Sequence, residues 1–459
     1  MSNGTAYRRG SVFGGLLLIA IGGLFLYANL HREFSPWPLI ATYWPVLIIF
    51  WGLSRLVDYL ILRGTPEAAA VTRLGAGDII GLIFLVLFGS MFSQAYNRGW
   101  WKGGPFINIG GEEMGCIFGS EYEFSDDASH AVGPSPRLEL ANGRGAVTVT
   151  TATGAEVRLK ARKQVCAQSE EQGKEMAAKM IPVFEQTGNG LEFHWDTPTG
   201  STGLLRAALD VEVPRGVNLK VETRGDVKII DHQGALEVNS EHGDVELRKI
   251  DGPIDLKMRH GSARVTDVRG EVKMDGRGDE VDISNVRGAV SLEGEYYGPI
   301  RLAAIAGPLR FVSRRTNVEA ARLEGDLSLD SGELTLRGVP GDVVVQTKDK
   351  EIQVEQVSGQ LRIENRNGRV VIRASKPPTN SIQVENERGS IELYLPAASG
   401  FQLRATARKG DVESDFAGLS SGRDRDRGPD ETLTGTVGDG RALIHLSTTY
   451  GTISIRRGS

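Results

Sequence analysis

The feature that most constrains this chain is a regular spacing of glycines. From Gly225 the sequence reads GDVKIIDHQ, GALEVNSEH, GDVELRKID, GPIDLKMRH and GSARVTDVR, so that a glycine recurs every nine residues. Apolar side chains stand two and four residues after each glycine, as at Val227 and Ile229. Strict alternation of apolar and polar residues is typical of a short strand with one buried face. Each unit is therefore predicted to be one strand that follows a tight corner at its glycine, where φ is positive or another backbone lies close.

Alternate units carry one more apolar residue two positions before the next glycine, which makes the true period 18 residues. These additional residues are Ile250, Val268, Val286, Ile305 and Val339. Two unlike strands therefore form one coil, and coils stacked at ~4.8 Å bury a core that no single coil could bury. The predicted fold class is an all-β solenoid that is parallel β-helix-like, with about 18 residues and two short strands per coil. A β-propeller is excluded because its blades need longer repeats with aromatic signatures.

Composition is consistent with this fold and excludes several other classes. Glycine accounts for 58 of 459 residues, and hydrophobic residues for 40%, which is too many for a disordered chain. Two cysteines are too few for a disulfide scaffold or a four-cysteine metal site. The net charge of −5 excludes a simple basic nucleic-acid binder, so no nucleic acid is expected as a partner.

Residues 1–104 are predicted to form a membrane region with three helices, at about 11–30, 37–60 and 77–96. The first stretch, SVFGGLLLIAIGGLFLYANL, contains no charged residue, and about 20 apolar residues span a bilayer as a helix. A cleaved signal peptide fits poorly, because no small-x-small cleavage site follows and two more apolar stretches do. The lipid bilayer is therefore a predicted partner, and the predicted location is the cytoplasmic (inner) membrane.

The short loops of this region predict its orientation. Arg8, Arg9, Arg55, Arg63 and Arg73 would lie on one side of the membrane, against Arg32, Arg98 and Lys102 on the other. Because Lys and Arg are more frequent on the cytoplasmic side, the N-terminus is predicted inside and the large C-terminal part outside.

The rest of the chain divides by pattern into five segments. Residues 105–135 are predicted to be a linker. Residues 136–224 are predicted to cap the solenoid, with a short helix at about 169–185 that begins near Ser169. The solenoid is expected at 225–416, a polar flexible loop at 417–440, and a terminal strand pair at 441–459.

The stretch PRGVNLKVETRGDVKI, the Gly-x-Val-x-Ile repeats and the closing TTYGTISIRR resemble the putative-adhesin β-solenoid domains of bacterial envelope proteins, over about residues 136–457. The segment WPLIATYWPVLIIFWGL, with the apolar stretch before it, resembles the membrane region of LiaF-like envelope-stress proteins, over about residues 11–62. A third helix between this region and the solenoid departs from that family. The resemblance implies a fold and a location in the envelope rather than an activity.

Candidate chemistry is sparse. His242 and His260 occupy the same position one period apart, so stacked coils would bring them about 5 Å apart, close enough to share a metal ion. No third ligand accompanies them, and an exposed ladder of turn residues is the alternative. His232 stands where other coils have Ile250 or Val268, which predicts an adjusted packing in a terminal coil.

Charged residues also recur at fixed positions in the coils. Asp226, Asp244 and Glu280 could form a calcium-binding ladder, but Ser262 interrupts it, and a solvated face of mixed charge is the alternative. Four basic residues cluster in sequence and could serve a polysaccharide-active enzyme: Arg301, Arg310, Arg314 and Arg315. No nucleotide-binding, nucleophile or zinc-protease motif occurs. Catalytic residues, cofactors and bound metals are therefore predicted to be none.

Cys116 and Cys166 leave two alternatives, a disulfide or two free thiols, because pairing depends on geometry that a sequence does not give.

Three functions remain open at this stage. The first is a non-catalytic, membrane-anchored bacterial envelope protein whose solenoid serves adhesion or interaction with an envelope polysaccharide or protein. The second is a regulator of an envelope-stress pathway, whose membrane helices contact a membrane kinase. The third is a polysaccharide-active enzyme built on a β-helix.

Overall fold

The computed structural model describes residues 106–109, 112–116, 120–131, 137–188, 190–196, 205–423 and 430–458, and short helical pieces between residues 43 and 93. Most of the predicted membrane segments 11–30, 37–60 and 77–96 lie outside the described residues. Within the part that is described, no helix combines the length and apolar character needed to cross a membrane.

The described chain is almost entirely β-strand. The first strands are β1 (Phe106–Ile109), β2 (Glu112–Cys116), β3 (Ser120–Ala131), β4 (Arg137–Asn142), β5 (Val147–Ala152), β6 (Glu156–Ala167), β7 (Ile181–Thr187), β8 (Gly190–Asp196) and β9 (Leu205–Pro214). The next are β10 (Asn218–Thr223), β11 (Val227–Ile230), β12 (Leu236–Ser240), β13 (Val245–Ile250), β14 (Ile254–Met258), β15 (Ala263–Val268), β16 (Val272–Gly278), β17 (Val281–Val286), β18 (Val290–Tyr296), β19 (Ile300–Ile305) and β20 (Leu309–Val312).

The remaining strands are β21 (Thr316–Ala320), β22 (Leu323–Leu329), β23 (Glu333–Val339), β24 (Val343–Asp349), β25 (Glu351–Val357), β26 (Leu361–Asn367), β27 (Val370–Arg373), β28 (Ile382–Arg388), β29 (Ile391–Pro396), β30 (Phe401–Lys409), β31 (Val412–Ser414), β32 (Leu419–Arg423), β33 (Glu431–Val437), β34 (Ala442–Tyr450) and β35 (Ile453–Gly458). The helix α1 spans Glu170–Ala178, and Ser169 caps it by accepting a hydrogen bond from the backbone N–H of Gln172 at 3.3 Å.

The chain divides into two compact units. Of the described residues, the first unit contains β1, β2 and α1. The second contains Ser125–Arg162, Pro182–Asp196 and everything described from Ala207 onward. This second unit contains most of the two long sheets, which have 17 and 16 strands and are called sheet I and sheet II below.

The coils from β10 to β20 are regular. Even-numbered strands pair side by side in sheet I and odd-numbered strands in sheet II, and every pairing in this stretch is parallel. Val227 pairs with Val245, and Leu236 pairs with Ile254, so the register advances by 18 residues per coil. The structure thus confirms the predicted period and the two strands per coil.

The core is the narrow space between the two sheets. The apolar residues predicted from alternation are buried there, and Ile250, Val268 and Val286 form a column along the axis, each about 1% exposed. Burial of each such side chain is worth about 1.5–3 kcal/mol, so the hydrophobic effect drives the stacking.

Glycines form columns at the corners because backbones approach closely there. A Cβ atom at Gly270 would overlap the carbonyl group of Gly252, and one at Gly252 would overlap that of Gly234. Gly243 and Gly261 have φ values of +107° and +96°, in the left-handed region that favours glycine. Both reasons that the sequence suggested for corner glycines are present.

Corners from sheet II to sheet I also use residues other than glycine. Asp231, Lys249, Asp267 and Asn285 have φ between +56° and +59° at equivalent positions of successive coils. Asp and Asn tolerate the left-handed region better than most residues. The sequence prediction assigned the corners to glycine alone and missed this column.

One coil runs in the opposite direction, which the prediction of a parallel solenoid did not include. After β20 a tight turn reverses the chain, and the backbone N–H of Ser313 donates to the carbonyl oxygen of Thr316 at 2.9 Å. Strand β21 is antiparallel to β20 and β24, and β22 is antiparallel to β19 and β23. A second turn restores the direction, where Asp330 Oδ1 accepts hydrogen bonds from the backbone N–H groups of Gly332 and Glu333. The repeat pattern did not reveal the reversal of this one coil, because apolar alternation is identical in both chain directions.

Each end of the stack contains an inserted strand pair. Strands β4 and β5 lie between the pairs β8/β9 and β10/β11, which follow each other in sequence. Strands β34 and β35 likewise lie between β28/β29 and β30/β31. The segment 417–440, predicted as a flexible loop, contains β32 and β33, which continue sheet I beyond β30 as antiparallel strands.

Candidate functional site

The two histidines predicted to stack do so. The ring centroids of His242 and His260 are 4.8 Å apart, with an angle of 19° between the ring planes. Among the described residues, no group of three or more His, Cys, Asp or Glu side chains could hold a metal ion. The two rings form a stacked ladder at a turn.

The recurring carboxylates bind the backbone of the next coil. Asp226 Oδ1 accepts a hydrogen bond from the backbone N–H of Asp244 at 2.9 Å, and Asp244 Oδ1 accepts one from Ser262 at 2.8 Å. Glu280 pairs with Arg301. These side chains reinforce the corner between coils and are occupied by protein partners.

His232 is buried, with 1% of its surface exposed. Burial lowers its pKa to about 4, because the charged imidazolium would lose its hydration. The ring is therefore neutral at pH 7. It lies at the position equivalent to Ile250, next to the coil formed by β4 and β5.

Cys166 is fully buried and disulfide-bonded. The free-thiol alternative is therefore wrong for this residue. The sequence contains one other cysteine, Cys116, whose side chain lies outside the described residues.

A concavity lies on the outer surface of sheet I, beside the reversed coil. We call it the corner groove, and its volume is about 760 Å³. The groove forms because the turns β20–β21 and β22–β23 each stay within one sheet, where a regular coil would cross between the sheets. On this side of the stack, crossings from sheet I to sheet II follow β18 and β24, which are three strand spacings or about 14 Å apart. The crossing from β21 to β22 lies on the opposite side, because β21 is antiparallel to its neighbours. The turn that contains Arg314 and Arg315 projects at this interruption.

A row of basic residues follows the groove from strand to strand, and we call it the basic row. The register places Arg315 beside Lys348, Lys348 beside Arg366, and then, in order, Glu387, Thr449 and Arg408. Arg366 contacts Glu387 at 3.1 Å. Arg315, Lys348 and Arg408 are exposed and form no ion pair with any residue that the structure describes.

A second row, which we call the amide–acid row, runs parallel to the basic row two residues away along each strand. It consists of Asn317, Gln346, Glu364, Glu385 and Ser447. Gln346 donates a hydrogen bond to Glu364 at 3.1 Å. These groups present hydrogen-bond donors and acceptors along the other side of the groove.

Buried polar residues lie beneath the two rows and support the corner. The hydroxyl groups of Thr316 and Thr347 are 3.1 Å apart, across the junction of the reversed coil with the next one. Asn386 Nδ2 donates to the carbonyl oxygens of Gly368 and Gly389 at 2.8 and 3.2 Å. These bonds satisfy carbonyl groups of two turns and help to fix the floor of the groove.

The sequence prediction identified only part of this site. Of the four clustered arginines, Arg314 and Arg315 line the groove, whereas Arg301 and Arg310 pair with Glu280 and Glu319 elsewhere. The prediction missed Lys348, Arg366 and Arg408. Their alignment depends on pairings between distant strands, and no local pattern in the sequence encodes those pairings.

Comparison with known proteins places the two parts of the chain. Residues 236–456 match the family described as Toastrack DUF4097, and residues 12–56 match the LiaI-LiaF-like transmembrane region. No curated protein matches the sequence.

Two solved structures are similar over 73% of this chain. One is described as a putative cell adhesion protein from Clostridium sporogenes, with 10% identity, 100% of that chain covered and a TM-score of 0.15. The other is described as a putative adhesin from Bacteroides fragilis, with 12% identity, 97% of that chain covered and a TM-score of 0.22. The family matches, together with the two long sheets, identify residues 236–456 as a Toastrack DUF4097 domain that follows a LiaI-LiaF-like transmembrane region at residues 12–56.

Proposed function

We propose that this chain is a membrane-anchored bacterial envelope protein whose solenoid is a non-catalytic binding surface for an envelope polymer or protein. The corner groove is the observation that carries this proposal. It combines a concave surface of about 760 Å³ with exposed cations and hydrogen-bonding side chains on a rigid, fully paired sheet. Sites built on strands hold their side chains more precisely than sites on loops.

The proposed location is the cytoplasmic membrane, with several membrane helices, the N-terminus inside and the solenoid outside. The match of residues 12–56 supports an anchor. The disulfide at Cys166 supports an oxidising compartment for the C-terminal part, because such bonds persist outside the cytoplasm. A reporter enzyme that is active only outside the cytoplasm, fused after Ser459, tests this orientation. Reporter activity is expected, and a signal only from a cytoplasmic reporter would contradict it.

Binding is tested with the full chain in lipid nanodiscs. The protein is mixed with purified, insoluble cell-wall polymer and, separately, with cellulose particles, and sedimentation measures the bound fraction. Retention by the cell-wall polymer and not by cellulose is expected. Equal sedimentation with both materials, or with neither, would argue against a specific envelope-binding surface.

A second function, regulation of an envelope-stress pathway, is favoured by the match of residues 12–56 to the LiaI-LiaF-like region. Under this alternative, the membrane helices contact a membrane kinase. Replacement of residues 12–56 by unrelated apolar spans of equal length separates the two functions. A binding protein keeps its affinity for the cell-wall polymer after this exchange, whereas a regulator loses its effect on an envelope-stress reporter.

A further inference from the structure

The basic row differs from a row of charged residues on the regular coils. On the outer surface of sheet II, the register places Lys228, Glu246, Arg264, Asp282 and Arg301 side by side, so that the sign of charge alternates from strand to strand. Neighbours in this row form ion pairs, with 2.8 Å between Lys228 and Glu246. We call it the alternating row.

Three adjacent strands in the corner groove instead present Arg315, Lys348 and Arg366. Like charges opposite each other on neighbouring strands are destabilising. Among the residues that the structure describes, only Arg366 of these three has a carboxylate partner, Glu387. Because this arrangement works against folding, unlike that of the alternating row, it indicates that an anion from outside neutralises the basic row.

The length of the row limits the shape of that anion. From Arg315 to Arg408 the row crosses five strand spacings, or about 24 Å. A single phosphate or carboxylate ion would contact only one end. An extended chain with repeated acidic groups could contact Arg315 and Lys348 at one end and Arg408 at the other.

The amide–acid row limits the chemistry of the bound anion. Gln346 and Glu385 lie beside the basic row and offer donors and acceptors at the same strand spacing. Exposed carboxylates repel a uniformly negative chain, but they accept hydrogen bonds from hydroxyl groups. A chain that carries both hydroxyl and acidic groups can form hydrogen bonds with the amide–acid row and ion pairs with the basic row. Acidic polysaccharides are envelope polymers with that composition.

We propose that the corner groove binds an extended anionic glycan, with its acidic groups on Arg315, Lys348 and Arg408 and its hydroxyl groups on the amide–acid row. This inference rests on the proposed function, since it specifies the ligand of the binding surface. Acidic groups on such glycans are either carboxylates or phosphates, and the basic row accommodates both.

The test measures binding of the full chain in nanodiscs to four probes by biolayer interferometry. The probes are polygalacturonate, a glycerol-phosphate polymer that carries sugars, uncharged dextran and poly-L-glutamate. Binding is expected for at least one of the first two, and which one binds identifies the acidic group. Affinity is expected to fall between about 50 and about 500 mM NaCl, because exposed charges are screened. Failure of both anionic glycans to bind would overturn the proposal.

The variant R315Q/K348Q/R408Q removes three charges from the basic row, and K228Q/R264Q/R301Q removes three from the alternating row as a matched control. The groove variant is expected to bind the glycan about tenfold more weakly or worse, since charge-assisted contacts are lost. The control is expected to bind like the wild type. Equal affinity of both variants would overturn the groove as the site, whereas retention of the wild type by cell-wall polymer would still support the proposed function.

The variant Q346A/E385A tests the second row. Weaker glycan binding, by several fold, with unchanged poly-L-glutamate binding is expected if hydroxyl groups contact this row. If poly-L-glutamate binds as well as the glycan and neither responds to Q346A/E385A, the groove recognises acidic chains in general and the assignment to a glycan is wrong. If R315Q/K348Q/R408Q fails to fold, the single variants R315Q and R408Q replace it in the comparison with the control variant of the alternating row.

Discussion

The regular coils from β10 to β20 and the three irregular coils of the same sheets have similar cores and different connections. In the regular coils, the parallel strands and the glycine columns repeat every 18 residues. The reversed coil β21/β22 and the inserted pairs β4/β5 and β34/β35 keep the buried aliphatic residues but change direction or order. Apolar alternation thus decides which side chains are buried, and the turns decide where each coil lies.

The difference also explains where the candidate site lies. A coil that repeats the previous coil continues the surface of the solenoid, because its crossing between the two sheets stacks on the previous crossing. A coil that reverses leaves two crossings out and exposes a tight turn, at Arg314 and Arg315. The corner groove is a consequence of the irregular connection.

The largest expected effect tests the insertion of the C-terminal strand pair. Leu446 is fully buried in β34, between β28 and β30. Leu446→Ala should lower the free energy of unfolding by about 2–5 kcal/mol, because it leaves a cavity in a packed core. Urea unfolding followed by circular dichroism measures this.

Leu443 in the same strand is 58% exposed and serves as the control. Leu443→Ala should change the free energy of unfolding by less than about 0.5 kcal/mol. If both substitutions have equally small effects, β34 is a frayed terminal strand rather than an inserted one.

The second prediction concerns the junction of the regular coils with the inserted pair β4/β5, where His232 lies. Its pKa of about 4 in the folded state is below its unfolded value of 6.5, so folding favours the neutral ring. The stability associated with the neutral ring is fully present above pH 6.5 and is lost as the pH falls towards 4. The expected loss is about 3 kcal/mol.

Unfolding by urea at pH 7.5 and at pH 4.5 measures this dependence, and His232→Leu is the comparison, since other coils have aliphatic residues there. The variant should lose less stability on acidification than the wild type. An identical loss in both proteins would show that other groups cause it.

A third, smaller effect compares glycines in the two kinds of coil. Gly270→Ala, in a regular coil, should destabilise the protein by about 1–3 kcal/mol, because the new methyl group overlaps the backbone of Gly252. Gly332→Ala, in the turn that follows the reversed coil, has open space around the new Cβ and should be nearly neutral. Thermal unfolding of both variants measures the difference, and equal melting temperatures would contradict the close stacking of the corners.

The smallest expected effect concerns the floor of the groove. Asn386→Ala removes hydrogen bonds to the carbonyl oxygens of Gly368 and Gly389, and should cost about 1–2 kcal/mol in stability. Asn380→Ala, which removes an exposed bond to the carbonyl oxygen of Ser358, is the control and should cost less. Chemical denaturation distinguishes them, and an equal cost would mean that the buried polar residues do not support the corner.

Much of the fold could be predicted from the sequence because it depends on local pattern. The glycine spacing gave the period, and alternation gave the buried face of each strand. A signal for the reversed coil was also present, since Leu327 and Leu334 are seven residues apart and Asp330 to Gly332 is a turn sequence. The candidate site could not be predicted in the same way, because Lys348, Arg366 and Arg408 come together through pairings between strands that are distant in the sequence, such as β28 and β34.

The sequence pattern was sufficient for the period of 18 residues and for the buried faces of the strands in the repeat. The tertiary structure alone decided the direction of β21 and β22, the insertion of β4/β5 and β34/β35, and therefore the basic row. The physical reason is that parallel and antiparallel pairings both satisfy the backbone, and both bury the same alternate side chains. Only the long-range fit of turns, corner glycines and neighbouring coils selects one arrangement.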